Sequence, residues 1–140
     1  MNAESEQFIE RFYTAMETVR RKMMQDFSGN MRYGLTPPQF VTLTLIRERG
    51  PSKAAALADL MEVKPSAIAV MIDRLASRGF VERRRDEKDR RSVLIHLTGL
   101  GLQALGQMET IRKRSLARLF GKIDADEANR LLLLLEKLAE

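Results

Sequence analysis

The residues that could do chemistry in this sequence are arginines, and they are concentrated in one short segment. Two runs of them, Arg83–Arg85 and Arg90–Arg91, are separated only by a mixed-charge turn. The segment 52–96 carries ten basic and seven acidic residues, whereas residues 1–35 carry five of each sign. A net charge of +5 is a weak indication of a polyanionic partner, but this local clustering is a sharper one. The alternative is a solvated run of charge on a loop.

The composition excludes several other kinds of chemistry. The 140 residues include no cysteine and a single histidine, His96. Disulfides, thiolate metal sites and thiol redox sensing are therefore excluded, and a Ser-His-Asp triad is disfavoured. The sequence has no phosphate-binding loop and no metal-ligand spacing, and its carboxylates are scattered, so neither a cofactor nor an enzyme is expected. The longest apolar run, Ala67–Ile72, is far shorter than the ~18 residues of a membrane span, so we expect a cytoplasmic protein.

The first half of the chain is predicted to be helical. Apolar residues recur at three- and four-residue intervals over residues 5–27, and a loop containing Gly29 and Gly34 follows. Three further helices are expected over 36–49, 53–61 and 65–78. The first begins at Thr36 and Pro37, the second is capped by Ser52, and the third begins at Pro65 and ends before Gly79.

After Gly79 the apolar residues change from helical spacing to alternation, and two short strands are predicted. Phe80–Arg84 and the alternating run Val93–Leu97 flank a charged turn, residues 85–91, which makes a β-hairpin with an arginine-rich tip. Helical spacing returns after Thr98, which can cap the next helix. Asp124, followed three residues later by Glu127, resembles a capping box that starts a last helix through Leu138. The expected fold is mainly α with a small β-hairpin.

Two short helices followed by a basic hairpin have the order of a winged helix-turn-helix. The segments Leu57–Ser66 and Ile72–Arg83, and the hairpin signature from Asp89-Arg90-Arg91 to Leu97-Thr98, resemble the multiple-antibiotic-resistance regulator (MarR) family of bacterial transcription factors. The long first helix and the two last helices also match that family's layout. The resemblance implies a winged helix-turn-helix over 36–97, flanked by dimerisation helices over 1–35 and 98–140.

The resemblance also implies a function. A MarR-type chain would be a homodimeric, sequence-specific DNA-binding regulator, and a repressor in particular, that binds an inverted-repeat operator in double-stranded DNA. It would be released by a small aromatic or anionic effector. The alternative is a winged-helix module that binds another protein without specific DNA binding.

The fourth helix would serve as the recognition helix, because a major groove about 12 Å wide admits one α-helix and exposes base edges to its first turns. The residues expected to face DNA are Lys64, Ser66, Ala67, Ala69, Val70 and Arg74. Three of them are small and apolar where longer polar side chains are frequent in the family, which favours contacts with thymine methyl groups. An alanine-rich surface without a partner is the alternative.

The hairpin would act as the wing. Arginines at its tip can enter the minor groove, where the negative potential is concentrated. The basic residues expected to contact DNA are Arg83, Arg84, Arg85, Lys88, Arg90 and Arg91. Asp89 is expected to orient Arg91, and Asp73 to set the angle of the wing by pairing with its charges. Ordinary ion pairing on a helix surface is the alternative for Asp73. Glu87 replaces a proline that is common in such wings.

The flanking helices are apolar on more than one side, since the five leucines from Leu131 to Leu135 must circle a helix. This surplus predicts a dimer interface that includes Phe8, Phe12, Leu116, Leu119, Phe120, Leu132 and Leu135; an intramolecular core is the alternative. The resemblance further implies an effector crevice between these helices and the winged region. Its possible walls are Tyr13, Met23, Met24, Arg32, Tyr33 and Phe40, for which an ordinary core is again the alternative.

Overall fold

The computed structural model describes residues 2–30 and 33–140, and within them it contains six helices and one two-stranded antiparallel sheet. The helices are α1 (Ala3–Asn30), α2 (Pro37–Arg49), α3 (Ala54–Met61), α4 (Pro65–Ser77), α5 (Gly99–Phe120) and α6 (Ala125–Ala139). The strands between α4 and α5 are β1 (Val81–Arg85) and β2 (Val93–Leu97). The predicted fold class, mainly α with a small β-hairpin, is confirmed.

The chain forms two compact units. The helical unit comprises Met1–Asn30 and Thr110–Glu140, and the winged unit comprises Met31–Glu109. Helix α5 begins in the winged unit and ends in the helical unit. In the part of the chain that the structure describes, no helix has the length and hydropathy needed to cross a membrane.

The winged unit has an apolar core to which all of its helices and strands contribute. The aliphatic and aromatic side chains with no more than 2% exposure include Leu43, Ile46, Leu57, Ile68, Ile72, Leu75, Phe80, Val81, Ile95 and Leu105. Burying one such side chain contributes about 1.5–3 kcal/mol to folding. The core therefore holds α4 and the hairpin in one closed body.

Local capping interactions start two of the helices where the sequence predicted them. The Thr36 hydroxyl accepts a hydrogen bond from the Gln39 N–H at 3.3 Å, and the Gln39 side chain accepts one from the Thr36 N–H at 3.0 Å. Asp124 and Glu127 make the same reciprocal pair at the start of α6. Each cap satisfies backbone donors that have no partner inside the helix.

Several predicted element ends differ from the structure. Strand β1 begins at Val81 rather than Phe80, and Arg85, predicted to lie in the turn, is its last residue. Helix α1 continues to Asn30, so Gly29 lies inside it rather than in a loop. Ser52 does not cap α3, whose N-cap position is held by Lys53 without a side-chain hydrogen bond. Ser52 instead pairs with β2: its N–H donates to the Ile95 carbonyl at 3.2 Å and its carbonyl accepts from the Ile95 N–H at 2.7 Å. This bridge ties the end of the α2–α3 connection to the hairpin.

The start of α5 is fixed on the hairpin by Thr98. Its hydroxyl donates to the Gly79 carbonyl at 2.6 Å and accepts from the Gly101 N–H at 3.1 Å. Gly101 is buried, and a Cβ at this position would clash with the Phe80 carbonyl oxygen and lie 2.7 Å from Leu97 Cδ1. Glycine is therefore required here by close approach of the helix to the strands.

We expect Gly101→Ala to lower the free energy of unfolding by about 1–3 kcal/mol, since overpacking a closed interface forces the backbone apart. Gly106→Ala is the matched control in the same helix, because a Cβ there would meet no atom within 4 Å. It should raise stability by up to about 1 kcal/mol through helix propensity. Urea denaturation followed by circular dichroism measures both. Equal stability of the two variants would contradict the close approach.

Candidate nucleic-acid interface

The turn between α3 and α4 sets the direction of α4. Glu62 follows the last residue of α3 and adopts the left-handed conformation, with φ 54° and ψ 42°. Its N–H donates to the Asp59 carbonyl at 3.2 Å, and the Val63 N–H donates to the Ala58 carbonyl at 3.1 Å. Helix α4 then begins at Pro65, a first-turn position at which a missing N–H leaves no bond unmade.

Helix α4 presents its predicted DNA-contact residues to solvent. Ile68, Ile72 and Leu75 are buried on its inner face. All six candidate positions are exposed: Lys64, Ser66, Ala67, Ala69, Val70 and Arg74. Ala69 lies toward the hairpin, where it lines an apolar cavity of about 260 Å³ together with Arg83 and Val93. The helical period places the others on or beside the face opposite the core.

The hairpin turns one side toward the helices. The register pairs Val81 with Leu97, Arg83 with Ile95 and Arg85 with Val93, so these residues share one face. Val81 and Ile95 on this face are buried in the core of the winged unit. Arg84 lies on the opposite face with its cross-strand partner Leu94. The side chains of Arg83 and Arg85 therefore project from one face of the hairpin, and that of Arg84 projects from the other.

Each strand arginine makes a contact inside the chain. Arg83 forms an ion pair with Asp73 of α4, and Arg84 forms one with Glu82 on its own strand. The Arg85 Nη1 donates to the Arg90 carbonyl across the turn at 3.2 Å. The structure thus brings Asp73 together with a wing arginine.

The tip of the wing, residues 86–92, is organised by two aspartates. Asp86 Oδ1 accepts from the Lys88 N–H at 3.0 Å, and Asp89 Oδ1 accepts from the Arg91 N–H at 3.1 Å. The second oxygen of Asp89 accepts from the Ser92 hydroxyl at 3.2 Å. Such bonds from an aspartate to the backbone two residues later define a turn without a proline. Asp89 acts on the backbone of Arg91 rather than on its guanidinium group.

The side chains of Lys88, Arg90 and Arg91 all extend from this tip and are exposed. Within residues 2–30 and 33–140, none of the three forms an ion pair with a carboxylate. The tip thus combines a backbone held by hydrogen bonds with three cations that keep their charge available.

Arg78 is a positioning residue that was not among the predicted site residues. Its guanidinium lies over the Phe80 ring, 4.8 Å from the centroid, and donates to the Gly34 carbonyl at 3.2 Å and to the Tyr33 carbonyl. Tyr33 and Phe80 meet edge to face with centroids 6.0 Å apart. Arg78 therefore links the end of α4 to the segment that precedes α2. No local pattern indicates this partner, because the acceptors are backbone carbonyls far away in the sequence.

The predicted dimer residues all lie in the helical unit. Phe8 and Phe12 stack with centroids 6.1 Å apart and remain 67% and 48% exposed. Leu116 and Leu119 of α5 are half-buried. The predicted residues Phe120, Leu132 and Leu135 are exposed. Helix α6 buries none of its side chains, so in the single chain its leucines face solvent.

An ion pair connects α1 to α5 within this unit. Asp26 binds Arg118, and the hydrogen bond from that guanidinium lowers the pKa of the Asp26 carboxyl group below its ordinary value. Arg118 is exposed and Asp26 is partly covered.

The residues predicted to form an effector crevice are divided between the two units. Tyr13, Met23 and Met24 belong to the helical unit, and Tyr33 and Phe40 belong to the winged unit. Arg32 lies outside the described residues. The effector crevice stays a prediction.

Comparison with known proteins gives one consistent family. Residues 35–93 match the MarR family. The chain is 32% identical over 126 residues to the HTH-type transcriptional regulator YkoM of Bacillus subtilis, a match that covers 90% of this chain and 80% of YkoM. It is 28% identical over 137 residues to the HTH-type transcriptional repressor MdtR of the same organism, covering 97% and 88% of the two chains.

Solved structures agree with this result. A mutant of MarR from E. coli, crystallised in complex with operator DNA, superposes with a TM-score of 0.74 at 27% identity and covers all of both chains. A MarR family protein from Bacillus stearothermophilus superposes with a TM-score of 0.81 at 26% identity, covering 99% of this chain and 96% of the other.

The aspartate turn at the wing tip can be tested directly. We expect Asp89→Ala to speed hydrogen exchange of the Arg91 amide by about tenfold or more, because that N–H loses its acceptor. Glu87→Ala is the matched control, since it removes the same charge from the same turn. Exchange followed by NMR measures both variants. An unchanged Arg91 amide in Asp89→Ala would show that the turn does not depend on this carboxylate.

Proposed function

The chain belongs to the MarR family of transcriptional regulators, and we propose that it is a homodimeric repressor that binds an inverted-repeat operator in double-stranded DNA. The observation that carries the proposal is that a recognition helix and a cationic wing are both exposed on the same compact unit. The outer face of α4 and the cationic tip of the wing both project from the winged unit, whose shared core holds them together.

Helix α4 supplies the contacts in the major groove. Ser66 in its first turn can donate to a base edge or to a phosphate. Ala67 and Val70 are exposed and offer methyl groups to thymine, and their small size lets the helix approach the bases closely. Few hydrogen bonds to bases can come from such a face, so DNA shape must provide part of the selectivity.

The wing supplies the contacts in the minor groove. Lys88, Arg90 and Arg91 carry charge at a tip whose backbone is held by Asp86 and Asp89. A narrow minor groove concentrates negative potential and attracts guanidinium groups. Arg83, Arg84 and Arg85 would exchange their protein partners for phosphates, or keep them and orient the tip.

The helical unit supplies the second copy of the chain. Helices α1 and α6 expose many large apolar side chains, which is unusual for the surface of a monomer. A partner related by a twofold axis would cover the same surface on each chain. A dimer also explains how a unit with few base contacts reaches operator specificity, since two recognition helices about one helical turn apart read two half-sites.

Release by a small aromatic or anionic effector, and action on DNA in the cytoplasm, complete the proposal. The effector has its support in the family resemblance alone. The location follows from the proposed partner, because an operator lies on the bacterial chromosome.

We expect Arg91→Ala to weaken binding to DNA and to make the plot of log affinity against log salt shallower by about one unit per lost contact, or about two per dimer. The loss should be similar for sites that differ only in their major-groove core, because readout in the minor groove is degenerate. Titrations across a range of salt measure both effects.

Lys137→Ala is the control for Arg91→Ala, since it removes one exposed positive charge from the helical unit. It should leave the slope unchanged. An Arg91→Ala protein with the affinity and slope of the wild type would place the wing outside the groove and would favour the protein-interaction module instead.

We expect Leu132→Glu to convert the dimer into monomers. Leu132 is 52% exposed in the single chain, so a glutamate there costs the fold of one protomer little but would be buried without a partner in the dimer. Light scattering at micromolar concentration measures the mass of the particle. Lys53→Glu, a larger change of charge on an exposed residue of the winged unit, should remain dimeric. A monomeric wild type would contradict the proposed assembly.

A further inference from the structure

A buried hydroxyl in the winged unit is surrounded by two methionine sulfurs. Thr42 of α2 is fully buried. Its Oγ1 lies 2.8 Å from Met71 Sδ, 3.1 Å from Met61 Sδ and 2.9 Å from the Pro38 carbonyl oxygen. A threonine hydroxyl has one hydrogen to donate, so these three acceptors compete for a single donor.

The two sulfurs belong to the elements that position the DNA-contact surface. Met61 is the last residue of α3, directly before the turn, and Met71 lies in α4 beside the exposed Val70. Both methionines are half-buried, so part of each residue is open to solvent, whereas the hydroxyl between them is enclosed. The contact therefore joins α2, α3 and α4 at one polar point in an apolar core.

We propose that Met61 and Met71 form an oxidation site, and that conversion of either thioether to the sulfoxide weakens DNA binding. The inference rests on the proposed function for its biological readout. It adds a modification site that a chain without cysteine can use, since thiol chemistry is not available to it.

The chemistry is a two-electron oxygen transfer from hydrogen peroxide. A lone pair of the methionine sulfur attacks one peroxide oxygen and the O–O bond breaks. That oxygen stays on the sulfur as the sulfoxide, and the other leaves as hydroxide, which takes up the proton of the transferred oxygen and becomes water. The sulfur is oxidised, the peroxide is reduced, and no further reagent is required.

The consequence follows from the enclosure of Thr42. A sulfoxide adds an oxygen atom to a packed site, and overpacking displaces neighbouring elements. The new oxygen is also a stronger hydrogen-bond acceptor than a thioether, so it competes with the Pro38 carbonyl for the single Thr42 hydrogen. Both effects move α4 relative to α2 and α3, and thereby move the outer face of α4 away from its binding geometry.

The first experiment uses the full-length wild-type chain. The probe is a duplex that the untreated protein has selected from random-sequence DNA. The protein is partly oxidised with hydrogen peroxide, mixed with this duplex, and separated into bound and unbound fractions, and sulfoxides are located in each fraction by peptide mass spectrometry. We expect sulfoxide at Met61 or Met71 to be concentrated in the unbound fraction. Equal sulfoxide at these positions in both fractions would overturn the proposal.

The second experiment uses the double variant Met61→Leu with Met71→Leu, an exchange of similar volume that cores tolerate well. Peroxide should lower the DNA affinity of the wild type by about tenfold or more and leave the double variant unchanged. Met108→Leu is the matched control: it is buried in the same unit and keeps the pair at Thr42, so it should respond like the wild type. Methionine sulfoxide reductases, but not dithiothreitol, should restore binding. A double variant as sensitive as the wild type would overturn the proposal.

The melting temperature separates this inference from the proposed function. Oxidation should lower it by about 5 °C in the wild type but not in the double variant, whether or not DNA is bound. Untreated protein that selects no DNA sequence would contradict the proposed function, and the melting experiment would still decide the oxidation site. An unchanged melting temperature in wild-type protein with sulfoxide at both positions would contradict the oxidation site alone.

Discussion

The arrangement of the winged unit depends on one constraint, the burial of the inner face of the hairpin against the helices. Val81 and Ile95 lie in the same core as Ile72 and Leu75 of α4. The isolated hairpin would not be stable in water, because two strands alone bury too little apolar surface. The core that stabilises the hairpin therefore also fixes its direction relative to α4, and the two exposed elements act as one body.

The charges of the wing are distributed in accordance with this packing. The three arginines of β1 contact acceptors within the protein, such as Asp73 for Arg83. Arg90 and Arg91 at the tip form no ion pair with a carboxylate among the described residues. Exposed ion pairs contribute about 0–1 kcal/mol each, so these contacts orient side chains more than they stabilise the fold. The tip keeps cations available because its own aspartates are used on the backbone.

The two units differ in how completely they bury their apolar residues. The winged unit encloses its core, with a polar point at Thr42 where thioethers fill the space between three helices. Methionine suits such a site because its unbranched side chain adapts to irregular gaps. The helical unit leaves the leucines of α6 exposed in the single chain, and this is the surface that the proposed dimer would cover.

Features that depend on near neighbours could be predicted from the sequence. The capping residues Thr36 and Asp124 and the glycine that ends α4 are local signals, and each holds in the structure because its partner lies within a few residues. The alternating pattern of Val93–Leu97 is also local, although the strand that pairs with it lies further away along the chain. The exposure of the outer face of α4 follows in the same way from the helical period. Family membership was also predictable from the sequence, because the order of motifs carries it.

Contacts between groups that are far apart in the sequence could not be predicted in this way. Ser52 was predicted as a helix cap and is a strand partner of Ile95, and Arg78 was not singled out although it binds the carbonyl of Gly34. The same holds for the sulfurs at Thr42. In each case the residue type allows several partners, and the choice among them is made by the packing of the core, which brings together segments whose local sequences carry no information about one another.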